Sequence, residues 1–320
     1  MSVPATKHTS GSIIPLAVLS LPEAKLTLDD IVCLNGSLHS HYNHAITYES
    51  AINRTVVSFQ ANKKRPGYRW FKYKEAFSSE LVQYLLRQYG IRQGHLLDPF
   101  AGSGAALFAS SALGLESDGI ELLPIGQKII KTRCYLQRKF KSMDFRVLLK
   151  WAEKRPWLRI KPKNGFSVLN ITKGAYPPET EGKIRQYLTC IEKEDPLVRE
   201  VLFFALLCVL EMISYTRKDG QYLRWDHRSG RKQGAKSFDK GPIIDFDTAV
   251  SLKLREIHDD CIAEDTGADL FDAPVNRGRI RLLSGSCLDI MPELPDRHYE
   301  VIQTRTRKKT YAPPVYRCVK

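Results

Sequence analysis

The residues of this chain best suited to chemistry lie in His95-Leu-Leu-Asp-Pro-Phe-Ala-Gly-Ser-Gly-Ala105. They bring a carboxylate, Asp98, next to a loop in which Gly102 and Gly104 let the backbone pass close to a small polar ligand. The pattern excludes two common ligands. A phosphate cradle of the P-loop kind needs Gly-Lys-Ser/Thr at its end, whereas Ala105 and Ala106 follow Gly104; a dinucleotide loop needs a small residue where Leu107 stands. Such a loop has to be held by a strand before it and a helix after it. Both are legible: the apolar run ends on Asp98, Pro99 stops it, and Ala105 to Leu113 favours a helix.

A second stretch carries a different chemistry. In Tyr215-Thr-Arg-Lys-Asp-Gly-Gln-Tyr-Leu-Arg-Trp-Asp-His-Arg-Ser-Gly-Arg-Lys232, basic residues interleave with Tyr222 and Trp225. Arg224, Arg228, Arg231 and Lys232 could hold phosphates while Trp225 stacks on a base. The bland alternative is a solvated loop whose aromatic residues close over the preceding helix. A net charge of +14 also suggests a polyanionic partner. Six basic residues and no acid fall between Arg305 and Lys320, and the remainder is still basic.

Metal chemistry is not expected. His39, His41 and His44 cluster without nearby cysteines or a His-Glu-x-x-His pattern, which suits a polar loop better than a metal site. The seven cysteines are scattered, odd in number and free of C-x-x-C pairs, as for reduced thiols in a cytoplasmic protein. No secretory pattern opens the chain, and the longest apolar run, Val201 to Leu210, is too short to span a bilayer. No membrane partner is expected.

The elements around these sites alternate. Ser78 reads as an N-cap, with Glu80 in the first turn of a helix that ends near Gly90. A strand follows from His95 to Asp98, then the helix from Ala105, a second strand ending at Glu121, and a helix begun by Pro124. This alternation implies an α/β fold with a parallel sheet and a ligand at the carboxyl ends of its strands. Residues 141 to 270 interrupt it with helical stretches (Phe145 to Trp151, Thr180 to Glu192, Leu197 to Tyr215, Phe246 to Ala263) and a loop from Thr216 to Gly241. Alternation returns at Arg279 to Gly285 and with a strand at Tyr299 to Thr304.

Asp98-Pro-Phe-Ala-Gly-Ser-Gly104 resembles the S-adenosylmethionine-binding motif of the DNA amino-methyltransferases, which methylate adenine N6 or cytosine N4. Tyr73-Lys-Glu-Ala-Phe-Ser-Ser-Glu-Leu-Val82 is similar to the segment preceding that motif, and Gly119-Ile-Glu121 to its second strand. The resemblance is good over residues 68 to 140 and returns weakly over 279 to 304. It implies a Rossmann-like methyltransferase sheet, incomplete here, with S-adenosyl-L-methionine bound by Asp98, Pro99, Phe100, Gly102, Ser103 and Gly104. Glu121 would take the ribose hydroxyls; Phe77 and Phe100 would pack on the cofactor or in the core. DNA is the implied partner.

The implied domain organisation is an arm over 1–67, a cofactor-binding half over 68–140, a helical insertion for target recognition over 141–270, the start of a catalytic half over 271–304, and an aberrant basic tail over 305–320. At the position of the family's adenine-binding aspartate stands Ser286, and Asp289 reads as a surface residue. The amino-holding motif, a polar residue before Pro-Pro and an aromatic, is expected directly after the Tyr299 to Thr304 strand. Arg305-Thr-Arg-Lys308 stands there instead, and Pro313, Pro314 and Tyr316 are weak candidates about eight residues late. The expectation is therefore a truncated or frameshifted chain that transfers no methyl group itself, whose fourth strand is an open edge, and which a second polypeptide could complete. C5-cytosine chemistry is not implied, because its Pro-Cys pair does not occur. Two rivals stand beside this reading: an RNA guanine-N2 methyltransferase with a similar loop, and a non-catalytic nucleic-acid-binding remnant or subunit.

Overall fold

A computed structural model describes residues 27–45, 49–73, 76–162, 168–219, 222–232, 237–266, 277–296, 298–303 and 315–317. Two compact units divide between Ser50 and Ala51. Within the first, α1 (Leu28–Tyr42) starts at a reciprocal cap in which the Thr27 hydroxyl accepts from Asp30 N and the Asp30 carboxylate accepts from Thr27 N. Its described side chains are exposed, and it carries His39 and His41.

The second unit opens with turns and then α2 (Ser79–Gln88), which begins where Ser78 accepts a hydrogen bond from Leu81 N at 3.1 Å. Next come β1 (His95–Asp98), α3 (Ala105–Ser111), β2 (Glu116–Glu121) and α4 (Pro124–Arg138), with Pro124 in the first turn, where its missing N–H costs nothing. Four helices follow in two groups: α5 (Ser142–Lys154), α6 (Pro178–Ile191) and α7 (Pro196–Val209), then, past the hairpin β3 (Thr216–Asp219) and β4 (Tyr222–Trp225), α8 (Phe246–Thr266). The chain re-enters the sheet with β5 (Ile280–Ser284), the short α9 (Cys287–Ile290), β6 (Val301–Gln303) and β7 (Val315–Arg317).

The sheet order is β5-β2-β1-β6-β7. The first four strands are parallel, with Asp98 opposite Gly119, Glu121 opposite Ser284 and Leu97 opposite Ile302. This is the parallel α/β sheet expected from the alternation, and Rossmann-like as the resemblance implies. One face, through Leu96 and Val301, packs on Val82 and Leu86 of α2, Ala106 to Ala109 of α3 and Ile130 of α4. The opposite face, through Leu97 and Ile120, meets Tyr299 and the partly buried Cys287, Ile290 and Leu294. A cross-strand ion pair ties the sheet together, because Asp118 on β2 accepts from Arg281 Nε on β5 at 3.0 Å and from Tyr299 Oη at 2.7 Å.

The helices of 141–270 share one core with residues of 68–140. Trp70, Ile129 and Leu136 join side chains of α5 to α8 in a single apolar cluster. At its centre Trp151, Trp157, Tyr187 and Phe246 meet edge-on or stacked, and each polar handle is satisfied: Trp151 by Glu194, Trp157 by Asp247, and Tyr187 by the Leu202 carbonyl. Residues 51–67, grouped by composition with the arm, also pack inward. Asn62 is buried, donates to the Phe77 carbonyl and accepts from Ser79 N.

Three expectations change. The helix from Leu197 stops at Val209, because Ser214 and Thr216 bond to one another and Tyr215 N donates to the Ala175 carbonyl, which turns the backbone out of the helix. The loop after Thr216 begins as a hairpin, in register Thr216 with Trp225 and Asp219 with Tyr222. The fourth parallel strand, β6, is not an open edge: β7 pairs with it antiparallel, Gln303 opposite Val315 and Val301 opposite Arg317, so the basic tail is not patternless throughout.

Candidate functional site

The site is built on the carboxyl ends of β1 and β2. Asp98 closes β1 and is 2% exposed. Its Oδ1 accepts from Phe100 N at 3.0 Å, which folds the Asp-Pro-Phe turn, while Oδ2 has no hydrogen-bond partner among the described residues. Burial pushes this carboxyl up to about 7, opposed by the Phe100 N–H and reinforced by the charge of Glu121.

The loop then turns tightly. Ala101 N donates to the Ile120 carbonyl of β2 at 3.0 Å, and Gly104 N to the Ala101 carbonyl at 2.7 Å. Gly102 and Gly104 sit at φ 54° and 77°, a left-handed backbone that favours glycine, and Gly104 leads into α3. Pro99 is buried beneath the loop, Ser103 is half-buried, and Phe100 lies 55% exposed on the rim. Phe77 packs beside the cluster of Val82, Leu96 and Phe108.

Glu121 closes β2 one strand away. Its Oε2 accepts from Gly102 N and its Oε1 from Leu123 N, each at 2.6 Å, so the acid links both loops. A carboxylate offers about four lone-pair positions, and two remain for a diol. Two residues invisible to the sequence reading support it. Gly126 faces Glu121 from the first turn of α4, where an added Cβ would lie 2.6 Å from the Gly102 carbonyl oxygen and 2.7 Å from Glu121 Cγ. Gln127 donates through Nε2 to the Glu121 carbonyl at 3.0 Å. The only local signal was a glycine in an otherwise helical segment just after the acid.

On the neighbouring strand end, Ser286 caps α9 by accepting from Leu288 N at 3.2 Å, and Asp289 is exposed. Ser286 thus has a local structural task. Of the candidates for catalysis, Pro313 and Pro314 lie outside the described residues, and Tyr316 stands in β7 opposite Ile302.

In the basic segment, the hairpin separates two kinds of arginine. Arg228 is spent on the buried Asp226: its Nε and Nη2 donate to the two carboxylate oxygens at 2.6 and 2.9 Å, and Nη2 also reaches the Gly241 carbonyl. Chiefly through that guanidinium, the Asp226 carboxyl is held well below the usual carboxylate range. Arg231 stacks 3.4 Å from the Trp225 ring centre and donates to the carbonyls of Ile171 and Lys173. Both hold the protein's own backbone in place. Arg224 is exposed, near Asp219 and over Phe238, and Lys232 is exposed. Asp226, His227 and Asp239 approach one another within 4.8 Å, but Asp226 already accepts two backbone N–H groups and a guanidinium, which neutralise it without a cation.

Among the described residues, no helix is long and apolar enough to cross a membrane. No family model and no solved structure matches the chain. It is 47% identical over 283 residues to the type II methyltransferase M.AvaI of Nostoc sp., an alignment covering 88% of this chain and 58% of that protein, and equally to the M.AvaI of Anabaena variabilis. To the type II methyltransferase M.BsoBI of Geobacillus stearothermophilus it is 32% identical over 292 residues, 83% of this chain and 54% of that one. The chain thus spans little more than half the length of these relatives. With a glycine loop closing the first strand of a parallel sheet, and this similarity over most of its residues, the chain belongs to the family of these type II methyltransferases, the DNA methyltransferases.

Proposed function

We propose that this chain binds S-adenosyl-L-methionine at the Asp98 to Gly104 loop and Glu121, and serves transfer of a methyl group to an exocyclic amino group of a DNA base, cytosine N4 or adenine N6. The observation that carries this reading is the convergence of a buried, unpartnered carboxylate oxygen, a glycine turn and a second carboxylate on neighbouring parallel strand ends. Bound there, the cofactor would supply an electrophilic methyl group on a sulfonium sulfur. The residues fit such a molecule: Asp98 Oδ2 offers an acceptor to a cationic end, and Glu121 keeps two lone-pair positions for a ribose diol. No protein nucleophile is required, since positioning and exclusion of water suffice for direct attack by an amino nitrogen. The residues expected to hold that nitrogen fall in 304–314, outside the described residues.

Residues 141–270 are assigned to target binding, and the hairpin supplies the DNA contact in this reading. Its register puts Arg217 opposite Arg224 and Asp219 opposite Tyr222 on one face, with Tyr222 78% exposed. On that face Asp219 pairs with Arg224 at 3.3 Å and Arg217 is exposed beside them, and a two-stranded ribbon fits the major groove of duplex DNA.

Calorimetric titration with S-adenosylmethionine tests the cofactor assignment. Glu121→Gln, which keeps the size of the side chain but not its charge, should weaken binding by about 1.5–3 kcal/mol, the range for hydrogen bonds to a charged group. Equal affinity in the two proteins would sink the assignment.

A further inference from the structure

Among the described residues, five buried side-chain atoms find no hydrogen-bond partner, and two of them end adjacent strands: Asp98 Oδ2 on β1 and Gln303 Nε2 on β6. Leu97 stands opposite Ile302, so these are the next register positions. Gln303 is 2% exposed. Leaving a buried amide donor unpaired costs stability, so a glutamine retained there in an otherwise apolar strand end points to a ligand with an acceptor.

The topology says where that ligand lies. Strand order runs outward from β1 to β2 and β5 on one side and to β6 on the other, so the β1/β6 boundary is the point at which the winding reverses. Ligands of open α/β sheets bind in the crevice outside the carboxyl ends at such a point. Glu121, on β2, lies on the far side of β1, two strand spacings or roughly 10 Å from β6. A molecule whose diol rests on Glu121 and whose chain crosses the Gly102 to Gly104 turn therefore ends between Asp98 and Gln303.

We propose that Gln303 is a cofactor-positioning residue: its Nε2 donates to the α-carboxylate of the amino-acid end of S-adenosylmethionine, while Asp98 Oδ2 accepts from the α-ammonium. The two orphaned atoms are a donor and an acceptor, and a zwitterion needs one of each. This rests on the cofactor assignment above and adds a residue to it.

The test uses the 320-residue chain and two ligands in calorimetric titrations: S-adenosylmethionine, and 5′-methylthioadenosine, which has the same nucleoside and sulfur but no amino-acid end. Gln303→Leu should lower affinity for the first by about tenfold or more and leave the second unchanged. Gln303→Glu, which sets a carboxylate against a carboxylate, should cost S-adenosylmethionine more than the leucine does. Thermal melting of ligand-free Gln303→Leu should match or exceed wild type, because the leucine has no amide to leave unpaired; a merely structural glutamine would show a lowered melting temperature. If Gln303→Leu binds both ligands as wild type does, or loses both equally, Gln303 has no such role. Wild type binding neither ligand would instead overturn the cofactor assignment, and this proposal with it.

Discussion

Asp98 shows how one residue can be both a liability to the fold and an asset to the site. Its carboxyl is pushed up to about 7 by burial first, then by the Glu121 charge, against the Phe100 hydrogen bond. The folded chain therefore keeps a proton that the unfolded chain releases near 3.8. Between those values the native state binds more protons, so stability falls as pH rises from about 4 to about 7 and stays low above it. Asp98→Asn removes this loss: at pH 8 it should be more stable than wild type by on the order of 4 kcal/mol, with little difference at pH 4, while binding S-adenosylmethionine more weakly. Urea denaturation of both proteins at pH 4 and 8 measures it, and parallel pH profiles would contradict the assignment. Asp98 and Gly102 stand out in the sequence by the pattern of their immediate neighbours, and Glu121 by the resemblance of Gly119-Ile-Glu121 to the family's second strand. Gly126 and Gln303 do not, since their reasons are atoms contributed by distant parts of the chain: the Gly102 carbonyl for one, the end of β1 for the other. Gly126→Ala should accordingly keep the fold but push Glu121 and the loop apart, weakening cofactor binding by about 1–3 kcal/mol, the usual cost of one methyl too many; a titration unchanged from wild type would show that the loop yields freely.

At the level of elements, what could be read was whatever carries its own punctuation. Ser78, Asp98-Pro99 and Pro124 mark the borders of α2, β1 and α4, and the structure begins or ends those elements there. The β3–β4 hairpin carries a turn mark in Asp219-Gly220, but its strands are short, polar and without apolar alternation; it is held by Asp226, which follows β4 and anchors Arg228 and Lys240 N. Likewise Lys63-Lys-Arg-Pro-Gly67 reads as a basic turn, yet its end and the residues after it are pinned to α8. Asp260 accepts from Gly67 N at 3.2 Å, Arg69 Nε at 3.1 Å and Trp70 Nε1 at 2.8 Å, and is buried. Asp260→Ala leaves an indole N–H and a backbone N–H without acceptors and should cost roughly 2–4 kcal/mol in chemical denaturation. Because Trp70 also belongs to the core shared by α4 to α8, the loss should appear in one cooperative transition. A separate early transition would mean that the turn is a detachable linker.

For the whole molecule, the net charge of +14 promises attraction to any polyanion, and the question is which cations bind specifically. The structure separates Arg228 and Arg231, which hold the protein's own backbone, from the outer, exposed Arg217 and Arg224 of the ribbon, the latter beside Asp219 and over Phe238. If duplex DNA lies against the ribbon, the two outer arginines each neutralise a phosphate or meet a base edge. Every phosphate left without its arginine then flattens the dependence of log affinity on log salt by roughly 0.9. Arg217→Ala with Arg224→Ala should lower the slope by up to about 1.8 over salt from about 50 to 200 mM, measured by fluorescence anisotropy on a labelled duplex. Because Arg224→Ala also removes the Asp219 ion pair and the contact with Phe238, a melting temperature unchanged from wild type is the control that unfolding does not account for the change. Arg228→Ala is the contrasting variant: it strips the buried Asp226 of its guanidinium and should lower the melting temperature, with any change in the salt slope following that loss of structure. A slope identical to wild type in the Arg217 and Arg224 double variant, with S-adenosylmethionine binding intact, would return the ribbon to plain solvated surface and move the DNA-binding face elsewhere on the chain.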